Sequence, residues 1–394
     1  MPLATSNSNR QAAIRFIVAL GTISLLADVT YEGARSINGP FLGLLGASAA
    51  AIGIVSGAGE LVGYTLRLFS GAAADRTRAY WTLTIIGYAI NLLAVPLMAL
   101  SNHWGFAAAL IIAERAGKAI RTPSRDVMLS QASMMVGRGW GFGLHEFMDQ
   151  TGAFIGPLLV ALVLKETQRY PSAYATLAIP AGLALITLFI SIKLYPDPKR
   201  FEETKERDVL TSPSGLPAAF WIYMIAAGLL AAGFVDFPLI AFHFHQTKMA
   251  TPAQIPIFYA AAMGIEGLMA LLFGRLFDRI GTWSVIVGAV LSAASSPLVF
   301  FGSFYASLAG MALWGAGMGA QQSTLRARIA ELVPTRRRGS AYGIFNTAYG
   351  ALWFAGSSII GILYGKSLWL AVAFAIGAQL AAIPLLWIVR RKRA

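Results

Sequence analysis

Long apolar segments alternate with short polar ones along almost the whole chain of 394 residues. A helix that crosses the hydrocarbon core of a bilayer needs about 20 mainly apolar residues, and twelve segments meet that requirement. They lie at residues 13–40, 49–70, 80–101, 104–128, 141–164, 173–194, 217–244, 253–274, 282–303, 306–331, 341–364 and 367–389. The pattern predicts an all-α integral membrane protein with twelve transmembrane helices.

The composition supports this class and excludes others. Hydrophobic residues make up 57% of the chain and charged residues 12%, whereas soluble domains carry about 25% charged residues. A soluble enzyme needs a polar surface that this composition does not supply. The absence of cysteine excludes a disulfide-stabilised secreted domain and a thiolate metal site.

The basic residues predict the orientation in the membrane. With both termini in the cytoplasm, most Lys and Arg residues fall in cytoplasmic tails and loops, and the external loops carry Lys165, Arg169, Lys248 and Lys366. The positive-inside rule therefore predicts cytoplasmic termini. It also accounts for much of the net charge of +13. Because these charges are spread over several loops, a nucleic-acid partner is not expected. Residues 1–12 carry no recognisable cleavage site, so no signal peptide is expected.

The sequence also shows an internal duplication. A polar stretch predicts a cytoplasmic linker at 196–216 between two six-helix bundles at 1–195 and 217–394. The segment from Gly71 to Arg78 (GAAADRTR) follows the second span, and GRLFDRIG follows the eighth span about 200 residues later. Duplicated six-helix halves are typical of transporters that bind their substrate between the halves.

The motif G-x-x-x-D-R-x-[GR] in these two loops resembles the signature of the major facilitator superfamily, and the resemblance covers the whole chain. Segments around Glu32 and Arg35 (EGARS) and from Lys118 to Asp126 (KAIRTPSRD) are similar to a poorly characterised bacterial branch. The resemblance implies the fold of that superfamily, alternating access and a bacterial inner membrane. It also implies a conformational latch that involves Gly71, Asp75, Arg76 and Arg78, with a weaker copy at Asp278 and Arg279.

A further partial match concerns the fifth span. Gly143, Gly152, Gly156 and Pro157 resemble the superfamily's antiporter motif, although Val160 replaces its final glycine. The resemblance favours an antiporter that exports its substrate. The alternative is ordinary helix packing through small residues.

Charged residues inside the predicted spans are candidate substrate and proton sites, because an unpaired charge facing lipid costs several kcal/mol. Spacings of three and four residues place them on single helical stripes. For span one, the alternative to a substrate or proton site is a structural role, in which Glu32 and Arg35 form an ion pair within the helix. The candidates on spans one and four are Asp28, Glu32 and Arg35, followed by Glu114, Arg115 and Lys118.

The fifth span adds His145, Glu146 and Asp149 within one helical turn. Two carboxylates so close favour the binding of a shared proton, which suits a reversible proton carrier. Ion pairing with basic residues of span four is the alternative.

The second half is more apolar. Its candidates are Asp236, which we expect at the position of Asp28 in the repeat, and His243 near the outer end of the same span. Pro238 is expected to bend or break that helix. An interfacial polar helix end is the alternative for the histidine.

Together these features predict a proton-coupled secondary transporter, an antiporter or exporter of a small charged, zwitterionic or amphipathic solute. It would act as a monomer and use the proton gradient rather than a cofactor. The alternative is transport of a divalent transition metal or metal chelate, with Asp28, Glu32, Asp236 and His243 as ligands. No H-E-x-x-H motif, nucleotide-binding glycine loop or nucleophile–base pair occurs in the spans, so an enzyme is not expected.

Overall fold

The computed structural model describes residues 3–196, 215–333 and 338–391, and these ranges are helical with no β-strand. The predicted all-α class is therefore confirmed. The helices are α1 Leu3–Arg35, α2 Asn38–Leu44, α3 Ala49–Thr77, α4 Tyr80–Leu97, α5 Trp104–Met134, α6 Arg138–Thr167, α7 Tyr170–Thr176, α8 Ala178–Leu194, α9 Ala218–Gly233, α10 Phe237–Gln246, α11 Gln254–Ile280, α12 Thr282–Phe301, α13 Phe304–Leu332, α14 Arg338–Lys366 and α15 Leu368–Arg391.

Ten segments of the described chain are long and apolar enough to cross a membrane. The two other predicted spans correspond to α5 and α13, which have 31 and 29 residues but are more polar. A twelve-helix arrangement is compatible with these lengths. Large apolar side chains such as Phe147 and Leu268 are 70% and 71% exposed, which is suited to a surface covered by lipid.

Two of the predicted spans are broken in corresponding places. One break lies between Arg35 at the end of α1 and Asn38 at the start of α2, and the other separates Gly233 from Phe237. The predicted effect of Pro238 is confirmed, because α10 begins just before it. Proline is tolerated in the first turn of a helix, because backbone N–H groups there make no intrahelical hydrogen bond and proline has none to lose.

The breaks correct the expected counterpart of Asp236. Asp236 is the N-cap residue of α10, and the N-cap residue of α2 is Ile37. Asp28 lies inside α1, about two turns before its break. The expectation that Asp236 occupies the position of Asp28 is therefore wrong, because the matching breaks align Asp236 with Ile37.

The chain divides into two compact units. The first unit contains Met1–Ala34 and Leu66–Glu206, and the second unit contains Arg35–Thr65 and Arg207–Ala394. The segment Arg35–Thr65 thus groups with helices of the second half. Most of the predicted linker at 196–216 lies outside the described residues.

Small residues allow close helix packing in both units, as is typical of membrane proteins. In the first unit, a Cβ on Gly117 of α5 would lie 2.4 Å from the backbone nitrogen of Asn91 in α4. In the second unit, α2 packs on α10. There, a Cβ on Gly43 would lie 2.6 Å from the ring of Phe242. Gly117 therefore lets two backbones approach closely, and Gly43 makes room for the Phe242 ring.

Candidate functional site

The predicted stripe on α1 faces a lysine of α5 in the first unit. Lys118 Nζ lies 3.8 Å from Glu32 Oε1 and 3.9 Å from the centre of the Tyr31 ring. The Tyr31 hydroxyl donates a hydrogen bond to Asp28 Oδ1. Asp28 and Glu32 are both buried. The structure therefore brings together three of the predicted residues, and Tyr31, which the sequence did not single out, joins them.

Two arginines extend this charged cluster along α5. Arg121 Nη1 donates to the Tyr88 hydroxyl at 3.0 Å, and its guanidinium carbon lies 4.2 Å from the centre of that ring. The Tyr88 hydroxyl also lies 3.2 Å from the hydroxyl of Ser24 on α1. Arg121 is almost fully buried, so it is a member of the interior network rather than an interfacial charge.

Arg125 links α5 to α6. Its Nη1 donates to Ser24 at 2.7 Å, and its Nη2 lies 2.8 Å from Asp126 Oδ1. Arg125 Nη1 lies 3.6 Å from Asp149 Oδ2, and His145 Nδ1 lies 3.4 Å from the same oxygen. Asp149 Oδ1 and His145 Nε2 are buried, and neither has a hydrogen-bond partner among the described residues. These two unsatisfied atoms leave capacity for a proton or a polar ligand.

Glu146 lies apart from this cluster. Its side chain is on an exposed part of α6 and accepts a hydrogen bond from Gln150 at 3.2 Å. Asp149 instead meets Arg125 and His145. The expected sharing of a proton between Glu146 and Asp149 is therefore not the arrangement in the structure, because the two carboxylates point to different surroundings.

Glu114 and Arg115 tie α5 to α4. Asn91 donates to Glu114 Oε1 at 2.8 Å and to the Glu114 carbonyl oxygen at 3.1 Å. Arg115 Nε lies 3.5 Å from Glu114 Oε2. Glu114 is buried, so part of its hydrogen-bonding capacity serves the contact between these helices.

The second unit contains a separate group of polar residues. Arg35 Nη2 lies 3.1 Å from Glu60 Oε1, which places the partner of Arg35 on α3. This ion pair with α3 was not among the alternatives that the sequence offered for Arg35. Asp236 accepts hydrogen bonds from Trp353 Nε1 at 3.0 Å and from Ser357 Oγ at 2.5 Å. Trp353 and Ser357 were not among the residues predicted from the sequence, although their spacing of four residues on one face of α14 is a usable signal.

His243 takes part in an aromatic contact at the other end of α10. Its Nδ1 lies 2.8 Å from the Tyr364 hydroxyl, and the ring of Phe300 packs against it at 5.0 Å. Among the described residues, no three His, Cys, Asp or Glu side chains form a group that could hold a metal ion.

The residues assigned to the latch lie at helix ends. Asp75 and Arg76 are exposed in the last turn of α3, and Arg78 follows it with a left-handed φ of 52°. Asp278 and Arg279 are likewise exposed at the end of α11. Within the described ranges, neither aspartate forms an ion pair. A Cβ on Gly71 would lie 3.8 Å from the Cβ of Pro123 in α5.

The glycines of the partial antiporter motif differ in their surroundings. A Cβ on Gly152 would lie 2.3 Å from the carbonyl oxygen of Leu25, and one on Gly156 would lie 2.4 Å from that of Val29. A Cβ on Gly143 would meet nothing within 4 Å. Gly152 and Gly156 therefore hold α6 against α1, beside Asp28, and Pro157 lies inside the same helix.

Comparison with known families gives a match across most of the chain. The model of the Major Facilitator Superfamily matches residues 20–357 and 219–394. Over 388 residues the chain is 41% identical to an uncharacterized protein of Mycobacterium tuberculosis (strain ATCC 25618 / H37Rv), covering 97% of this chain and 94% of that protein. It is 25% identical to an uncharacterized MFS-type transporter of Methanocaldococcus jannaschii, with 97% and 96% of the two chains covered.

Solved structures show the same fold. A mutant of the nucleoside transporter NupG superposes with a TM-score of 0.77 and 14% identity, covering 94% of this chain and 99% of that one. An auto-inhibited peptide transporter of the POT family gives a TM-score of 0.74 and 15% identity, with 96% and 98% covered. At these identities the likeness shows the architecture shared with those transporters.

Proposed function

Because the chain belongs to the Major Facilitator Superfamily, we propose that it is a proton-coupled secondary transporter of a small charged, zwitterionic or amphipathic solute. The chain is a multi-pass membrane protein and a transporter, not an enzyme. Its proposed location is a bacterial inner membrane with both termini in the cytoplasm, the orientation that the positive-inside rule favours.

The observation that carries the proposal is the shared environment of Asp28, Glu32 and Lys118. Lys118 Nζ lies 3.8 Å from the buried Glu32 and 3.9 Å from the centre of the Tyr31 ring, and the Tyr31 hydroxyl donates to the buried Asp28. Buried charges are costly unless they are paired. A proton that neutralises one acid therefore changes the stability of the packing between α1 and α5. A cationic solute that takes the place of the Lys118 ammonium group beside the acids has the same effect.

A second proton station is proposed at Asp149. This carboxylate lies between Arg125 and His145 at 3.6 and 3.4 Å, both longer than a normal hydrogen bond. The unsatisfied Asp149 Oδ1 and His145 Nε2 support a site that gains and loses protons. The close packing of Gly152 and Gly156 on α1 ties this site mechanically to Asp28 and supports the antiporter reading.

Alternating access requires contacts between the two halves of the sequence to break and re-form. The contact of α2 with α10 joins the C-terminal part of the first predicted span to the C-terminal part of the seventh, which is the first span of the second half. Gly39 and Gly43 meet Pro238 and Phe242 there. We assign this contact to the external gate. Among the described residues, no group of three His, Asp or Glu side chains supports the metal alternative, and His243 Nδ1 lies 2.8 Å from the Tyr364 hydroxyl.

The test is electrophysiology of the purified protein in proteoliposomes on a solid-supported membrane. Pulses of organic cations, amino acids, organic anions and nucleosides are applied with and without a pH gradient. We expect at least one class to give a current that depends on the gradient and disappears in Asp28→Asn. The matched control is Glu146→Gln, since this acid is exposed and lies outside the charged cluster. Currents that are unchanged in Asp28→Asn, or absent for every class, would contradict the proposal.

A further inference from the structure

The carboxylate of Asp236 is buried in the break between α9 and α10. Its two hydrogen bonds come from neutral donors, the Trp353 indole at 3.0 Å and the Ser357 hydroxyl at 2.5 Å. Among the described residues it forms no ion pair. The ion pair of Arg35 with Glu60, at 3.1 Å, lies in the same unit. A buried carboxylate held by neutral donors alone is stabilised further when a cationic group binds beside it.

Aromatic rings pack around Trp353, whose indole N–H donates to this carboxylate. The Trp353 ring lies 5.5 Å from that of Tyr349 and 5.7 Å from that of Phe234. Tyr349 in turn lies 5.4 Å from Tyr64 of α3. Ring faces attract organic cations, and sites for quaternary ammonium groups combine several rings. The same rings offer little to a metal ion, and the indole N–H directed at Asp236 repels one.

An unsatisfied amide lies next to these rings. Gln321 of α13 accepts a hydrogen bond from the Tyr349 hydroxyl at 2.9 Å. Its side chain is 4% exposed, and its Nε2 has no hydrogen-bond partner in the described part of the chain. Buried polar groups are normally satisfied, so an orphan donor calls for an explanation. A ligand with an acceptor oxygen supplies the missing partner.

We propose that the second unit contains a binding site for an organic cation, an amine or quaternary ammonium compound that also carries a hydrogen-bond acceptor. The ammonium group would lie at Asp236 among the rings of Trp353 and Tyr349, and the acceptor would meet Gln321. That the organic cation is the transported substrate rests on the proposed transport function. That the cation binds at this site does not depend on proton coupling.

The experiment measures binding to the full chain purified in detergent, by calorimetry and by thermal stabilisation. The probes are choline, benzyltrimethylammonium and 3,3-dimethylbutan-1-ol, which has the shape of choline without its charge. We expect both cations to bind and the neutral alcohol to bind at least about tenfold more weakly. We expect Asp236→Asn and Trp353→Phe to weaken the binding of both cations about tenfold. Gln321→Leu should weaken the binding of choline more than that of benzyltrimethylammonium, because only choline has a hydroxyl oxygen that can accept a hydrogen bond from Gln321.

Glu266→Gln is the matched control, because Glu266 is another buried acid of the second unit and is hydrogen-bonded to Gln322 at 2.5 Å. It should bind the cations like the unaltered protein. If Asp236→Asn does not fold, the test uses Trp353→Phe and Ser357→Ala, each of which removes one hydrogen bond to Asp236 and should weaken cation binding. Failure of both cations to bind, equal binding of the alcohol, or full binding by the folded variants would overturn the inference. Because no gradient is present, the result is distinct from failure of proton-coupled flux.

Discussion

A Cβ on Gly39 would lie 1.7 Å from the carbonyl oxygen of Pro238. Both residues lie in the first turn of a short helix that follows a break, Gly39 in α2 and Pro238 in α10. The contact therefore joins equivalent elements of the two halves of the sequence within the second unit. Only glycine fits at this position, since a real Cβ does not approach a backbone atom so closely.

The first prediction concerns this contact. Gly39→Ala should destabilise the protein by about 1–3 kcal/mol, because the added methyl group forces the backbones of α2 and α10 apart. The measurement is thermal unfolding in detergent, followed by intrinsic fluorescence. Gly63→Ala in α3 is the control, since a Cβ there would meet nothing within 4 Å and alanine favours the helix by about 0.5–1 kcal/mol. An unfolding temperature for Gly39→Ala equal to that of the control would show that α2 and α10 do not pack this way.

The second prediction concerns the charge balance around Lys118. Lys118→Met removes the base that lies 3.8 Å from Glu32 and leaves buried negative charge behind. Breaking a buried pair costs about 3–5 kcal/mol, but the Lys118 side chain is 22% exposed. We therefore expect a loss of about 1–3 kcal/mol after allowing for solvent screening.

A double variant separates charge from packing in this second prediction. Glu32→Gln combined with Lys118→Met removes both charges and should recover most of the stability lost in the single variant. Thermal unfolding of the two single variants and the double variant completes the cycle. Additive losses would show that Lys118 and Glu32 do not interact.

The helices and their breaks were largely predictable, and the pairing of side chains was not. An apolar run of about 20 residues sets a membrane span by itself, and Pro238 restricts where a helix begins. Hydrophobic periodicity indicates which residues share a helix face, but not which helix that face meets. Arg35 thus pairs with Glu60, a residue 25 positions away on another helix, and no local spacing indicates that partner.

The same limit applies to the acids on α6 and to Asp236. Glu146 and Asp149 are three residues apart, but the rotation between them leaves Glu146 exposed while Asp149 meets Arg125 and His145. The hydrogen bonds from Trp353 and Ser357 to Asp236 join residues more than a hundred positions apart. Such contacts depend on the packing of α14 beside the break, which no local pattern specifies.

In the proposed transport cycle, protonation of Asp28 shifts an equilibrium in which α2 and α10, the proposed external gate, separate. The chain has no cysteine, so Leu44→Cys and Gln246→Cys place spin labels only on exposed positions of these two helices. Electron paramagnetic resonance then measures the label–label distance at about pH 5.5 and about pH 8, on either side of neutrality. We predict a short and a long distance whose ratio changes with pH, and a ratio that no longer responds to pH in Asp28→Asn. A single distance at both pH values, or an undiminished pH response in Asp28→Asn, would contradict the claim.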